Sequence, residues 1–321
     1  MLALLLDTSN SMDGLIDQAK SQLWTIVNEL AAAKCDDGSR PDIKIALYEY
    51  GNDNLPSSEN YIRMVSPLTN DLDEISSKLF ALTTNGGNEF CGAVIQSSLN
   101  QLSWSESTAD LKMIFIAGNE PFTQGNVFYK KVCERAKAND VVVNTIFCGD
   151  YNEGISTMWK DGADITGGTY MSIAQDRRTV FISTPYDDQI DRLNSRLNNT
   201  YIYYGKTGVR KKEMQVQEDE NAESYGQANK INRAVSKSSH AYKNSSWDLV
   251  DAYKDDTEAI EKVETEFLPE EMKEMDAEEK KEYVEGKLTE RETIQKEIQA
   301  LNKQRTAYIE QHKPEKEKGN M

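Results

Sequence analysis

Apolar residues lie in short, nearly continuous runs through the first half of the chain and at helical spacing through the second. Leu2–Leu6, Ile43–Tyr48, Leu111–Ala117 and Val141–Phe147 have the length and composition of buried strands, with shorter strands expected at Tyr61–Val65, on an edge, and at Thr169–Ile173. Between the first two runs Leu15, Ala19, Leu23, Ile26, Val27 and Leu30 recur every three or four residues, predicting a helix from about Gly14 to Lys34. Further helices are expected over 71–82 and 91–102, over a segment ending near Asn139, and over 154–160. Buried strands alternating with helices predict an α/β fold, a doubly wound and mostly parallel sheet covered on both faces. This α/β domain is expected to occupy residues 1–184.

The pattern then changes. Ile190, Leu193 and Leu197 give Tyr186–Asn199 one apolar face, and Leu268-Pro269-Glu270-Glu271 reads as a proline-started helix. Ile294, Ile298, Leu301, Arg305 and Tyr308 form a narrow stripe on a last helix over 289–309. Such a stripe suits a hairpin or coiled-coil-like arm packed on an earlier helix near 221–242. Residues 185–312 are therefore expected to form an α-helical extension packed partly on the first domain, and 313–321, which lacks an apolar anchor, a disordered tail.

Charge narrows the partners. The 321 residues carry a formal net charge of −17, which repels nucleic-acid backbones and anionic membranes and favours metal ions or cationic partners. No run of 18 or more apolar residues marks a transmembrane segment, and no basic stretch precedes Leu2–Leu6 as in a signal peptide. A strand beginning at the second residue suggests an upstream leader or linker, which would place the protein in the periplasm or at the cell surface; without one it is expected in the cytoplasm. The cysteines Cys35, Cys91, Cys133 and Cys148 form no close pair, and both histidines, His240 and His312, lie late in the chain. Zinc sites and Ser-His or Cys-His nucleophiles are thus excluded from the first domain.

The richest chemistry lies where the first strand ends. Asp7, Ser9 and Ser11 place three oxygen-bearing side chains at alternate positions after an apolar strand, a donor set that suits a hard divalent cation. The same residues would also serve as a turn and helix cap. Open α/β sheets bind ligands beyond the carboxyl ends of their strands. On that rim the loops Thr83–Glu89 and Ala117–Pro121 could converge with Asp7–Ser11, bringing Glu89 and Glu120 as further oxygen ligands. A plain turn at Asn85-Gly86-Gly87 and an exposed helix-start charge at Glu120 are the structural alternatives.

These motifs resemble the von Willebrand factor type A domain with its metal-ion-dependent adhesion site. Within that superfamily the chain resembles bacterial proteins that share the phrases Leu79–Gly87, Phe115–Phe122, Leu197–Tyr201, Trp247–Val250 and Leu268–Glu271. The resemblance implies a Mg²⁺-type ion, with Mn²⁺ or Ca²⁺ as alternatives, held at the sheet rim and used to grip an acidic residue of a protein partner. It implies ligation by Asp7, Ser9 and Ser11, with Glu89 nearest the position where the family carries a threonine. The third loop departs from the family: Ala117-Gly118-Asn119 stands where Thr-Asp-Gly is common, so Gly118 replaces an aspartate and Asn119 and Glu120 become the available donors.

Three functions follow as expectations. The foremost is a non-enzymatic adhesion or scaffold module acting through the rim ion. A metal-independent structural protein whose helical arm makes the interaction comes second. A metal-assisted hydrolase built on Asp7, Glu89 and Glu120 comes last, since no phosphate-binding glycine motif, nucleophile or leaving-group acid accompanies them.

Overall fold

A computed structural model describes residues 1–33, 41–173 and 182–312. Cys35 and the tail from residue 313 lie outside the described residues. The chain divides into two units, one formed by Met1–Val27 with Asp42–Val180 and the other by Asn28–Pro41 with Phe181–Met321.

In the first unit, strands β1 (Leu2–Asp7), β2 (Ile45–Tyr50), β3 (Ile62–Thr69), β4 (Lys112–Gly118), β5 (Val141–Phe147) and β6 (Tyr170–Ser172) form one six-stranded sheet ordered β3-β2-β1-β4-β5-β6. All neighbours run parallel except β2 and β3. The helices are α1 (Ile16–Ala32), α2 (Leu72–Phe80), α3 (Cys91–Gln101), α4 (Tyr129–Ala138), α5 (Tyr151–Ser156) and α6 (Trp159–Thr166). β1 and β2 are buried along their whole length, which explains their near-continuous apolar sequence. On one face Ala3, Leu5, Ile114 and Val143 meet Val94, Val132 and Trp159 from α3, α4 and α6.

The winding direction reverses between β1 and β4. That reversal opens a crevice at the strand ends, where ligands of doubly wound sheets bind. Asp7 and Gly118 terminate those two strands.

Several boundaries differ from the sequence expectation. β3 runs on to Thr69, because Pro67 falls on an edge strand where a missing N–H is tolerated. The single helix expected over 154–160 is two, α5 and α6, separated at Met158, whose φ of 73° breaks the helical path. Lys20 is buried on α1, where its ammonium donates to the carbonyls of Phe80 and Leu82 at the end of α2. A cation there complements the helix dipole.

The second unit contains, among the described residues, seven helices: α7 (Asp187–Asn198), α8 (Gly208–Ser224), α9 (Gln227–Lys237), α10 (Leu249–Asp255), α11 (Ala259–Lys262), α12 (Glu270–Lys273) and α13 (Ala277–His312). Ile202, Leu249, Val250, Tyr253, Met272 and Val284 form its apolar core. α13 begins well before Thr289 because Asp276 and Glu279 make a reciprocal capping box: the Glu279 N–H donates to Asp276 Oδ1 and the Asp276 N–H to Glu279 Oε2, each at 2.9 Å. α13 packs on α9, near the expected partner segment, and on α7 and α10 as well, so its setting is a helical bundle. Its buried Arg291 donates to Asp248, Asp251 and Thr200 and lies over the Tyr201 ring at 4.0 Å. Among the described residues, no helix is long and apolar enough to cross a membrane.

Candidate metal centre

Local chemistry shapes the first loop. The Ser9 N–H donates to Asp7 Oδ1 at 2.8 Å, an Asx turn that ends β1 and turns the chain into the short 3-10 segment Asn10–Met12. Asp7 Oδ2 is buried and has no hydrogen-bond partner. The Ser9 and Ser11 hydroxyls are 2.8 Å apart. Ser11 Oγ donates to Asn119 Oδ1 and Asn119 Nδ2 donates to the Ser11 carbonyl, both at 2.9 Å.

The second loop reaches the same place. The Asn85 N–H donates to the Thr8 carbonyl at 3.0 Å, and Asn52 Nδ2 ties the carbonyls of Thr8 and Thr83 together. Glu89 is buried, its N–H donating to Gln124 Oε1 at 3.2 Å. Gly51, at φ +80°, lets Asp7 and Glu89 approach: a side-chain carbon there would lie 2.9 Å from both Asp7 Oδ1 and Glu89 Cγ. The arrangement therefore requires glycine twice over, for backbone conformation and for space.

Electrostatics follow from burial. Asp7 is fully buried, and loss of water pushes its carboxyl up to about 7. The Ser9 hydrogen bonds oppose that rise and the Glu89 charge adds to it. Burial likewise raises the Glu89 carboxyl, with hydrogen bonding from Ser9 opposing and the charge of Glu120 adding. Glu120 is half-buried, and its carbonyl accepts from Trp159 Nε1 at 2.8 Å.

At Gly118 the third loop lacks a side chain, and little room exists for one. A carbon there would sit 2.5 Å from the Tyr50 hydroxyl and 3.0 Å from Asp7 Oδ2. The Tyr50 hydroxyl donates to the Ala117 carbonyl at 3.1 Å.

A sequence model of the von Willebrand factor type A domain matches residues 2–196. The chain belongs to this family. Von Willebrand factor type A domains mediate protein interaction or adhesion. Similar solved structures include the SpRpn10 von Willebrand type A domain, 19% identical over 55% of this chain and 89% of that one, with a TM-score of 0.42. BatB from Bacteroides thetaiotaomicron is 15% identical over 54% of this chain and 89% of that one, with a TM-score of 0.39. Proximal thread matrix protein 1 from the mussel byssus, with a zinc-occupied MIDAS motif, is 12% identical over 55% of this chain and 42% of that one, with a TM-score of 0.40. No curated protein matches the chain.

Von Willebrand factor type A domains often bind a metal at an adhesion site. Among the described residues no group of three or more His, Cys, Asp or Glu forms a metal-binding cluster. The donors brought together are instead one deeply buried carboxylate with an orphaned oxygen, two hydroxyls in contact and an amide oxygen. That set fits a hard, oxygen-seeking cation. Of the residues singled out from the sequence, Asp7, Ser9, Ser11 and Asn119 share one hydrogen-bonded cluster, Glu89 meets Asp7 across Gly51, and Glu120 reaches the site by its charge.

Sequence reasoning missed Tyr50, Gly51 and Gln124. Gly51-Asn52-Asp53 follows β2 on the same rim, so the strand-end rule that singled out the other loops applies to it too. Gln124 carries no local signal, since only the folded β4–α4 loop brings it to Glu89.

Proposed function

We propose that this chain is a non-enzymatic adhesion or scaffold module whose sheet rim holds a Mg²⁺-type ion and through it engages an acidic residue of a protein partner. The observation supporting this reading is the Asp7 carboxylate, fully buried, with one oxygen on the Ser9 N–H and the other unpartnered. Such a group is costly unless it is protonated or meets a cation. Asp7, Ser9 and Ser11 would hold the ion, with Glu89, Asn119 and Glu120 as further oxygen donors, directly or through water; Mn²⁺ and Ca²⁺ suit the same donors. A bound divalent ion supplies positive charge at a rim that is otherwise acidic. Around it the Ser11–Asn119 clasp fixes the spacing of the β1 and β4 loops, and Gln124 holds the backbone of Glu89.

Isothermal titration of Mg²⁺ and Mn²⁺ into the full chain tests the reading. Saturable heats in the native protein that vanish in Asp7→Ala are expected. Equal heats in both proteins, with no thermal protection by either ion, would overturn it.

A metal-independent interaction through the helical unit is the second reading. It is supported by Val209 and Val216, exposed and seven residues apart on α8. Partner capture that persists in EDTA and is lost on Val209→Glu/Val216→Glu would favour it.

A further inference from the structure

The Tyr50 side chain has a consequence for the rim that its own hydrogen bond does not require. Tyr50 lies opposite Asp7 in the β1–β2 register, and its hydroxyl reaches β4, where it donates to the Ala117 carbonyl. It is fully buried, 3.8 Å from Cys91 Sγ. Its oxygen therefore occupies a fixed position in a packed interior, where displaced atoms have little room to relax. That position is the volume a side chain from residue 118 would have to enter: the first carbon would be 2.5 Å from the hydroxyl oxygen, and 3.0 Å from both Asp7 Cβ and Asp7 Oδ2.

Resting on the rim reading above, we propose that the Tyr50 hydroxyl is the specificity-determining group of the site, because it excludes any side chain at residue 118 and so bars a further carboxylate from the unpartnered face of Asp7. Asp7 keeps its second oxygen without a hydrogen-bond partner, within 3.0 Å of where a carbon on Gly118 would lie. Cation affinity at carboxylate sites rises with the number of charged ligands and with site rigidity. The exclusion accordingly sets the site to hold its ion weakly and exchangeably. It also predicts that positions 50 and 118 are energetically coupled: a side chain at one is tolerated only when the hydroxyl at the other is removed.

A double-mutant cycle reads the exclusion without any ion. Thermal unfolding of the full chain in EDTA is measured for the native protein, Gly118→Ala, Tyr50→Phe and Tyr50→Phe/Gly118→Ala. Gly118→Ala is expected to lower the melting temperature, and the same change in the Tyr50→Phe background to lower it far less. Equal losses in both backgrounds would overturn the proposal. Mn²⁺ titration then reads the consequence. Tyr50→Phe/Gly118→Asp is expected to bind about tenfold or more tightly than the native chain, while Gly118→Asp alone either fails to fold or gains less. A Gly118→Asp protein that is stable and binds as tightly as the double variant would also overturn it. If the native chain binds no ion while the unfolding cycle is coupled, the rim reading fails and the exclusion stands.

Discussion

Asp7 illustrates how one side chain can be held by its neighbours without being neutralised by them. Its Oδ1 closes the Asx turn that ends β1, while Oδ2 faces the bare backbone of Gly118. Burial keeps a proton on it up to about pH 7, so any bound cation competes with that proton. Gly51 sets the distance between this carboxylate and Glu89. In Gly51→Ala the φ of +80° costs roughly 1–2 kcal/mol by itself, and the added carbon crowds Asp7 Oδ1 and Glu89 Cγ at 2.9 Å. A loss of about 2 kcal/mol or more in urea unfolding is expected; a change below about 0.5 kcal/mol, the size of an ordinary surface substitution, would show that the loop relaxes freely. Asn119→Ala removes both bonds to Ser11 on a half-buried rim. It should cost about 1 kcal/mol in the same measurement and weaken Mn²⁺ binding, since the β1 and β4 loops lose their tie.

At the scale of elements, the strands were legible because a parallel sheet covered on both faces demands continuous apolar runs, and β1, β4 and β5 read that way. The rim was legible for the same reason, since strand ends in such a sheet are where ligands bind. What local pattern misses is set by distant packing. The break at Met158 has no glycine or proline to announce it. Tyr50 reads as one more core aromatic until its hydroxyl is found against Gly118. α13 was expected to start at Thr289 because the apolar stripe begins at Ile294; the upstream turns carry Val284 and the Asp276–Glu279 box instead. Removing that box by Asp276→Ala should destabilise the start of the helix by about 1 kcal/mol. Faster amide exchange confined to residues 278–282 is the expected readout, and unchanged protection there would show that packing at Val284 suffices to hold the first turns.

Across the whole molecule, the two units are built on different interiors. The first buries apolar strands beneath the Asp7 carboxylate, while the second places charges inside a helical bundle. There Asp219 accepts from Arg233 and Lys237 at 2.9 and 2.7 Å. Burial alone would raise its carboxyl, but Lys237 and Arg233 outweigh burial and hold it well below the usual carboxylate range. Lys212, beside the same cluster and 5.0 Å over the Tyr201 ring, is pushed down to about 8 by burial, with Lys237 adding to the effect. The signs agree. A depressed Asp219 stabilises the fold above its unfolded value of 3.8, and that contribution is lost as pH falls below it. A depressed Lys212 makes the unfolded chain bind more protons between about pH 8 and 10.5, so stability rises with pH across that window. For a side chain still partly in water the gain is on the order of 2 kcal/mol. The second unit should therefore gain stability with pH on both the acid and the alkaline side. Trp247 is its one tryptophan, buried and stacked on Tyr201, so the ¹⁹F resonance of a 5-fluorotryptophan label there reports that unit alone during urea unfolding. Asp219→Asn should flatten the acid arm and Lys212→Met the alkaline one; an alkaline slope that survives Lys212→Met would assign that titration to another group.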